Sequence, residues 1–169
     1  MNPPPSHLAL SRAARAVAQD LRVLETLCGG DAYRAECAEG RIGAHIRHVV
    51  EFFRCFLQQG PSGRVDYDAR ARDQALEGCA TTAARAMEEA AERIGAGALA
   101  AMPATLVMVE SLPGTGPVET PSTPEREAAF CISHAIHHLA LPKTLARRRG
   151  VTLPDAFGVA ASTLRARAA

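Results

Sequence analysis

The chain has 169 residues, 47% of them hydrophobic and 4% aromatic, with no tryptophan and a net charge of +1. That length and composition suit one domain with its own core and argue against wholesale disorder, while near-neutrality gives nucleic-acid binding no electrostatic support. Abundant alanine and scarce aromatics favour closely packed helices, because alanine is the best helix former and strands prefer branched or aromatic residues.

After the proline-rich Met1–Pro5, Ser6 reads as the cap of a helix running to about Cys28 and closed by Gly29 and Gly30. Asp31–Gly40 reads as a polar loop. A second helix spans about Arg41–Gln59, with Ile42, Ile46, Val49, Phe53 and Phe56 at helical intervals and Gly60-Pro61 as its stop. The loop Gly60–Asp68 leads to a third helix, about Ala69–Ile94, stopped by Gly95 and Gly97. Thr105–Glu110 is short and β-branched, turn dipeptides follow, and Val118–Thr120 can pair back as a small hairpin.

Thr123-Pro124 has the form of an N-cap followed by proline at the first helical position, opening a fourth helix to about Arg149. Arg147, Arg148 and Arg149 place positive charge at its C-terminus, where the helix dipole favours it. The tail Gly150–Ala169, with Leu153, Phe157, Val159 and Leu164, is expected to pack across the surface. Four long helices in sequence predict an all-α fold, an antiparallel four-helix bundle with a small hairpin before the last helix.

Five cysteines (Cys28, Cys37, Cys55, Cys79 and Cys131) form no C-x-x-C pair and are odd in number. That argues for reduced thiols in a cytoplasmic protein rather than a disulfide framework or cysteine-rich zinc site. No signal segment opens the chain and no run of about 18 apolar residues is present, so no membrane association is expected.

Five of the six histidines fall in two groups, His45/His48 and His134/His137/His138. His134 and His138 stand four apart, which on a helix puts both rings on one face, one turn above the other. They share a stripe with Glu127, Phe130, Cys131, Leu141 and Leu145. Neutral imidazole is a favoured ligand of divalent metals, and a third ring from another helix would complete a three-histidine site with open positions. The rival reading leaves these rings satisfied by hydrogen bonds in the core of a non-catalytic protein that binds a small ligand or a partner.

His137 points about 60° away from His134 and reads as an outer group or helix-interface residue, and Pro142 removes the N–H that would bond the His138 carbonyl. On the second helix, His45 lies within the apolar face. His48 lies at its edge, within reach of Glu51 one turn on. Periodicity alone favours His45 as the ligand without deciding firmly, since a bundle's central cleft often lies at the edge of the core stripe. Asp66–Asp73 concentrates charge at a helix start. Asp68 reads as a cap, and Arg70 or Arg72 can face the open side of the histidine site and grip an anionic group.

The segments Ile42–Glu51, Val65–Asp73 and Ser133–His138 together resemble the DinB-like (DinB/YfiT) superfamily, and the likeness extends over nearly the whole chain as a single domain, 1–169. The resemblance implies a four-helix bundle holding a divalent metal, zinc or nickel, by one histidine of the second helix and two of the last. It places those ligands at His48, His134 and His138, with the family's histidine–acid pattern on His48-Val49-Val50-Glu51. It implies a metal-dependent transferase or hydrolase with a small-molecule substrate, a low-molecular-weight thiol such as bacillithiol or mycothiol as partner, and a homodimer. Glu51 or His137 would orient a ligand ring or move a proton, and Arg70 or Arg72 would hold the substrate anion. The related Y-D-x-R-x-R pattern often carries histidine where Ala69 stands here, which puts that subgroup's chemistry in doubt.

Overall fold

Helix α1 spans Pro5–Cys28, with proline in its first turn, where the missing N–H costs no intrahelical bond. No side chain caps it, and Ser6 lies inside the first turn rather than capping it. The computed structural model describes residues 4–36 and 40–168. Met1–Pro3 of the proline-rich opening, the thiol Cys37, Ala38 and Glu39 of the expected polar loop, and Ala169 of the tail lie outside the described residues.

The start of that polar stretch is helical: α2, Asp31–Arg34, makes one turn and buries Tyr33. The Tyr33 hydroxyl donates to the Leu76 carbonyl at 2.8 Å. Tyr33→Phe strands that buried carbonyl and is expected to cost about 1 kcal/mol, read as a lower urea midpoint at unchanged slope. An unshifted midpoint would mean the bond contributes nothing net.

Helix α3, Ile42–Gln59, buries Ile42, Ile46, Val49, Phe53 and Phe56, the periodic positions of the sequence. Burial of each such side chain contributes about 1.5–3 kcal/mol before entropy is counted.

The expected all-α four-helix bundle is not what forms, because a three-stranded mixed sheet is part of the fold. Strand β1 (Arg64–Asp66) lies in the stretch expected to be loop. It pairs in parallel with β2 (Leu106–Ser111), Val65 opposite Met108. β2 pairs antiparallel with β3 (Pro117–Ser122), Met108 opposite Thr120, which is the hairpin of the sequence reading. A parallel pair needs a long crossover, and the helices between β1 and β2 supply it.

The expected third helix, Ala69–Ile94, is broken for local reasons. Asp66 Oδ1 accepts from the backbone N–H groups of Asp68 and Ala69, which turns the chain where the helix was expected to start. Residues 70–73 are irregular. Asp73 then caps α4 (Gln74–Gly78) by accepting from Ala75 N. Cys79, at φ −142° and ψ 110°, separates α4 from α5 (Ala80–Gly95).

Helix α6, Pro124–Arg148, begins as the sequence indicates: Thr123 caps it by accepting from Arg126 N, and it runs on through Pro142. Arg147 and Arg148 fall in its last turn, and Arg149 donates to the Ala35 carbonyl at 2.6 Å. The long helices pack α1 against α5 and α3 against α6, with further contacts of α1 on α6 and α3 on α5.

The tail packs down as far as Leu153 and Phe157, and Lys143 Nζ donates to the carbonyls of Pro154, Asp155 and Phe157. Beyond it, the last helix α7 (Ala161–Ala168) buries no residue, so Leu164 is exposed where packing was expected. Among the described residues, no helix is long and apolar enough to cross a membrane.

Candidate metal centre

Helices α3 and α6 pack directly on each other, and that contact joins two histidine groups about 90 residues apart in the chain. One ring nitrogen each of His48, His134 and His138 lies within 4.8 Å of the other two. His48 Nε2 and His134 Nε2 are 3.3 Å apart. Two nitrogens at the usual zinc distance and tetrahedral angle stand about 3.3–3.4 Å apart, so this pair already has the required spacing. The three imidazoles could therefore hold a metal ion.

The structure brings His48, rather than His45, into this group. Ring centroids of His48 lie 5.0 Å from His134 and 4.5 Å from His138, whereas His45 stands 6.3 Å from His138. His137 is exposed, its ring 5.6 Å from that of His138. The apolar stripe of α3 points to its main core, while the cleft facing α6 runs along the stripe's edge.

The three rings are half-buried among aromatic side chains. Phe52 packs edge-on to His134 at 4.3 Å, Phe130 stacks on His134 at 5.4 Å, and Tyr67 stacks on Phe52 at 4.7 Å. Phe130 shares its α6 stripe with His134 and was legible in the sequence. Phe52 and Tyr67 were not, since one lies off the core stripe of α3 and the other sits in a turn.

Behind this wall Glu127, 1% exposed, accepts from the Tyr67 hydroxyl (3.0 Å), Ser122 Oγ (2.5 Å) and Arg126 Nη1 (2.9 Å). A cleft of about 300 Å³ between the hairpin and α6 opens onto Tyr67, Arg126, Glu127 and Phe130. Of the residues lining it, Phe130 also stacks on His134.

Burial pushes His48 down to about 3 and His134 down to about 4, with neighbouring histidines and Arg70 adding to the effect. His138 is lowered too, by burial first and then by His137 and His45. At neutral pH these rings are neutral, the protonation state that ligates a metal. Nδ1 of both His134 and His138 is buried without a hydrogen-bond partner.

The lowered values carry a sign for stability. The unfolded chain takes up protons at these rings below its ordinary value near 6.5, and the folded chain resists. Stability of the protein kept in chelator is thus unaffected by these rings above about pH 6.5 and declines as pH falls toward about 4. Urea midpoints across that range check this, and the decline should flatten in His48→Gln. A wild-type midpoint flat to pH 5 would contradict it.

The remaining site candidates have definite places. Glu51, 3% exposed, accepts from Asp73 N at 2.7 Å and faces Arg47 (3.9 Å) and Arg70 (3.8 Å). Its carboxylate thus holds the 67–73 turn onto α3, and none of its hydrogen bonds or ion pairs here is with a histidine. Arg70 lies against the site: Nη1 donates to the Tyr67 carbonyl at 2.7 Å, Nη2 approaches His48 Nδ1 at 3.5 Å, and the guanidinium covers the Phe52 ring at 5.0 Å. Arg72 is exposed, and its charge acts on Asp68, whose carboxyl is held low first by the Ser111 hydrogen bonds and then by Arg70 and Arg72.

Cys28, Cys55, Cys79 and Cys131 are free thiols, and Cys131 Sγ lies 3.4 Å from the Tyr67 hydroxyl. Comparison with models of known families, with curated proteins and with solved structures finds no match to this chain.

Proposed function

We propose that the protein is a divalent-metal-dependent enzyme whose ion is held by His48, His134 and His138. The observation that carries this reading is the convergence of three neutral ring nitrogens from two helices within 4.8 Å. The 3.3 Å spacing of His48 Nε2 and His134 Nε2, which suits two ligands of one tetrahedral ion, supports it. The motif resemblance to the DinB-like superfamily supports the same reading and suggests transfer involving a low-molecular-weight thiol, or hydrolysis. Zinc and nickel suit an all-imidazole set.

A bound ion supplies Lewis acidity toward a substrate oxygen or a thiol. The chain's own residues do the rest. Phe52, Phe130 and Tyr67 exclude water from one side of the rings and lower the local dielectric, which strengthens electrostatic contacts there. Arg70 offers a guanidinium beside His48 for an anionic group of the substrate, held in place through the Glu51–Asp73 contact. Arg72, out in solvent, is a weaker choice for that task, and His137 is placed for proton exchange with solvent. The free thiols agree with a reducing, cytoplasmic setting.

Elemental analysis of protein purified without a histidine tag tests the reading. About one equivalent of zinc or nickel per chain is expected. Protein that neither carries nor takes up a divalent ion would leave the histidines without this role.

A further inference from the structure

We propose that Arg70 and a divalent cation compete for His48, so that an oxyanion drawing Arg70 aside tightens cation binding; this rests on the three-histidine reading above. Arg70 Nη2 stands 3.5 Å from His48 Nδ1, while His48 Nε2 faces His134 Nε2 at 3.3 Å. A guanidinium has donors only and keeps its charge, so it can meet Nδ1 only where that atom presents a lone pair.

A neutral imidazole has one lone pair and one N–H. With Nδ1 accepting from Arg70, Nε2 carries the N–H and gives it to His134. A cation held at Nε2 needs the lone pair there. The His48 proton must then sit on Nδ1, where it meets the Arg70 donor head-on. No proton is lost in this exchange, which moves it from Nε2 to Nδ1 through solvent. The guanidinium charge also repels a dication next to the same ring.

Arg70 has somewhere to go. Its Nε is buried without a hydrogen bond, and Glu51 Oε2 lies 3.8 Å away. A cleft of about 290 Å³, lined by Arg70, Glu51 and Arg54 among others, adjoins the side chain. A carboxylate or phosphate group that takes the guanidinium as a fork removes it from His48. Linkage then requires anion and cation to strengthen each other's binding by the same factor.

Calorimetric titration of tag-free, chelator-treated protein with Ni²⁺ or Zn²⁺ tests the competition, in acetate against chloride at equal ionic strength. Arg70→Gln and Arg70→Met are each expected to bind the cation about tenfold more tightly than wild type and to lose the acetate enhancement. A merely structural Arg70 predicts the opposite sign, weaker binding on its removal. Nitrogen-15 NMR of the cation-free wild type should place the His48 proton on Nε2. Unchanged or weaker affinity in folded Arg70 variants, or the proton on Nδ1, would overturn the competition. If wild type, Arg70→Gln and Arg70→Met all fail to bind a cation, the three-histidine reading falls with it. Binding by the wild type without tightening in the variants sinks this inference alone.

Discussion

His134→Ala is expected to lose at least about a hundredfold in affinity for zinc or nickel, since removal of an outer partner alone costs about 10–100-fold at metal sites. His134 is central to the group: its Nε2 lies 3.3 Å from His48 Nε2, and its ring is 4.5 Å from that of His138. His45→Ala, at the margin of the cluster, should change affinity by less than about tenfold. Both variants should stay folded by circular dichroism, because both rings are partly exposed. Equal affinity losses in the two variants would show that His45 holds the ion alongside His134, and a loss in His45→Ala alone would put the ion between His45 and His138. Retention of the ion by His134→Ala would remove the site altogether.

Gly43→Ala is expected to destabilise the protein by about 3 kcal/mol, a drop in melting temperature of about 10 °C. Gly43 lies in the first turn of α3, where a methyl group would fall 2.0 Å from the Glu77 carbonyl oxygen and 2.8 Å from Tyr33 Cε1. Neither neighbour can yield. Tyr33 is buried and tied to the Leu76 carbonyl, and the Glu77 carboxylate is clamped by Arg41 at 2.5 Å and Arg47 at 2.9 Å. Gly78 is the matched control, because a methyl group there meets nothing within 4 Å. Gly78→Ala should leave stability unchanged or slightly raised. A Gly43→Ala melting curve within 2 °C or so of wild type would mean that α3 and α4 can separate without cost.

These two sites also show which parts of the molecule could be read ahead of the structure. The end of α1 and the start of α6 follow from residues beside them: Gly29, in extended backbone, and the Thr123 cap act through their own backbone or side chain. Such signals are local, so a sequence displays them. The break at 67–79 depends on Asp66 and Asp73 bonding neighbouring N–H groups and on Glu51, from another helix, holding Asp73. An alanine-rich, charged stretch gives no warning of that. Strand β1 has three residues, too few for any periodicity, and is a strand only because Val107–Val109 lies alongside.

The sequence by itself determined that two imidazoles share one face of the last helix, because a four-residue spacing on a helix permits nothing else. It also determined the C-terminal end of α1, the start of α6 and the hairpin, through turn and capping chemistry. Periodicity favours His45 and the resemblance His48, and the tertiary structure brings His48 to them; only that structure decided that Arg70 rests on His48 and that a sheet joins the helices. Those outcomes depend on how distant segments approach each other, and side-chain periodicity along one segment carries no information about what packs against its edge.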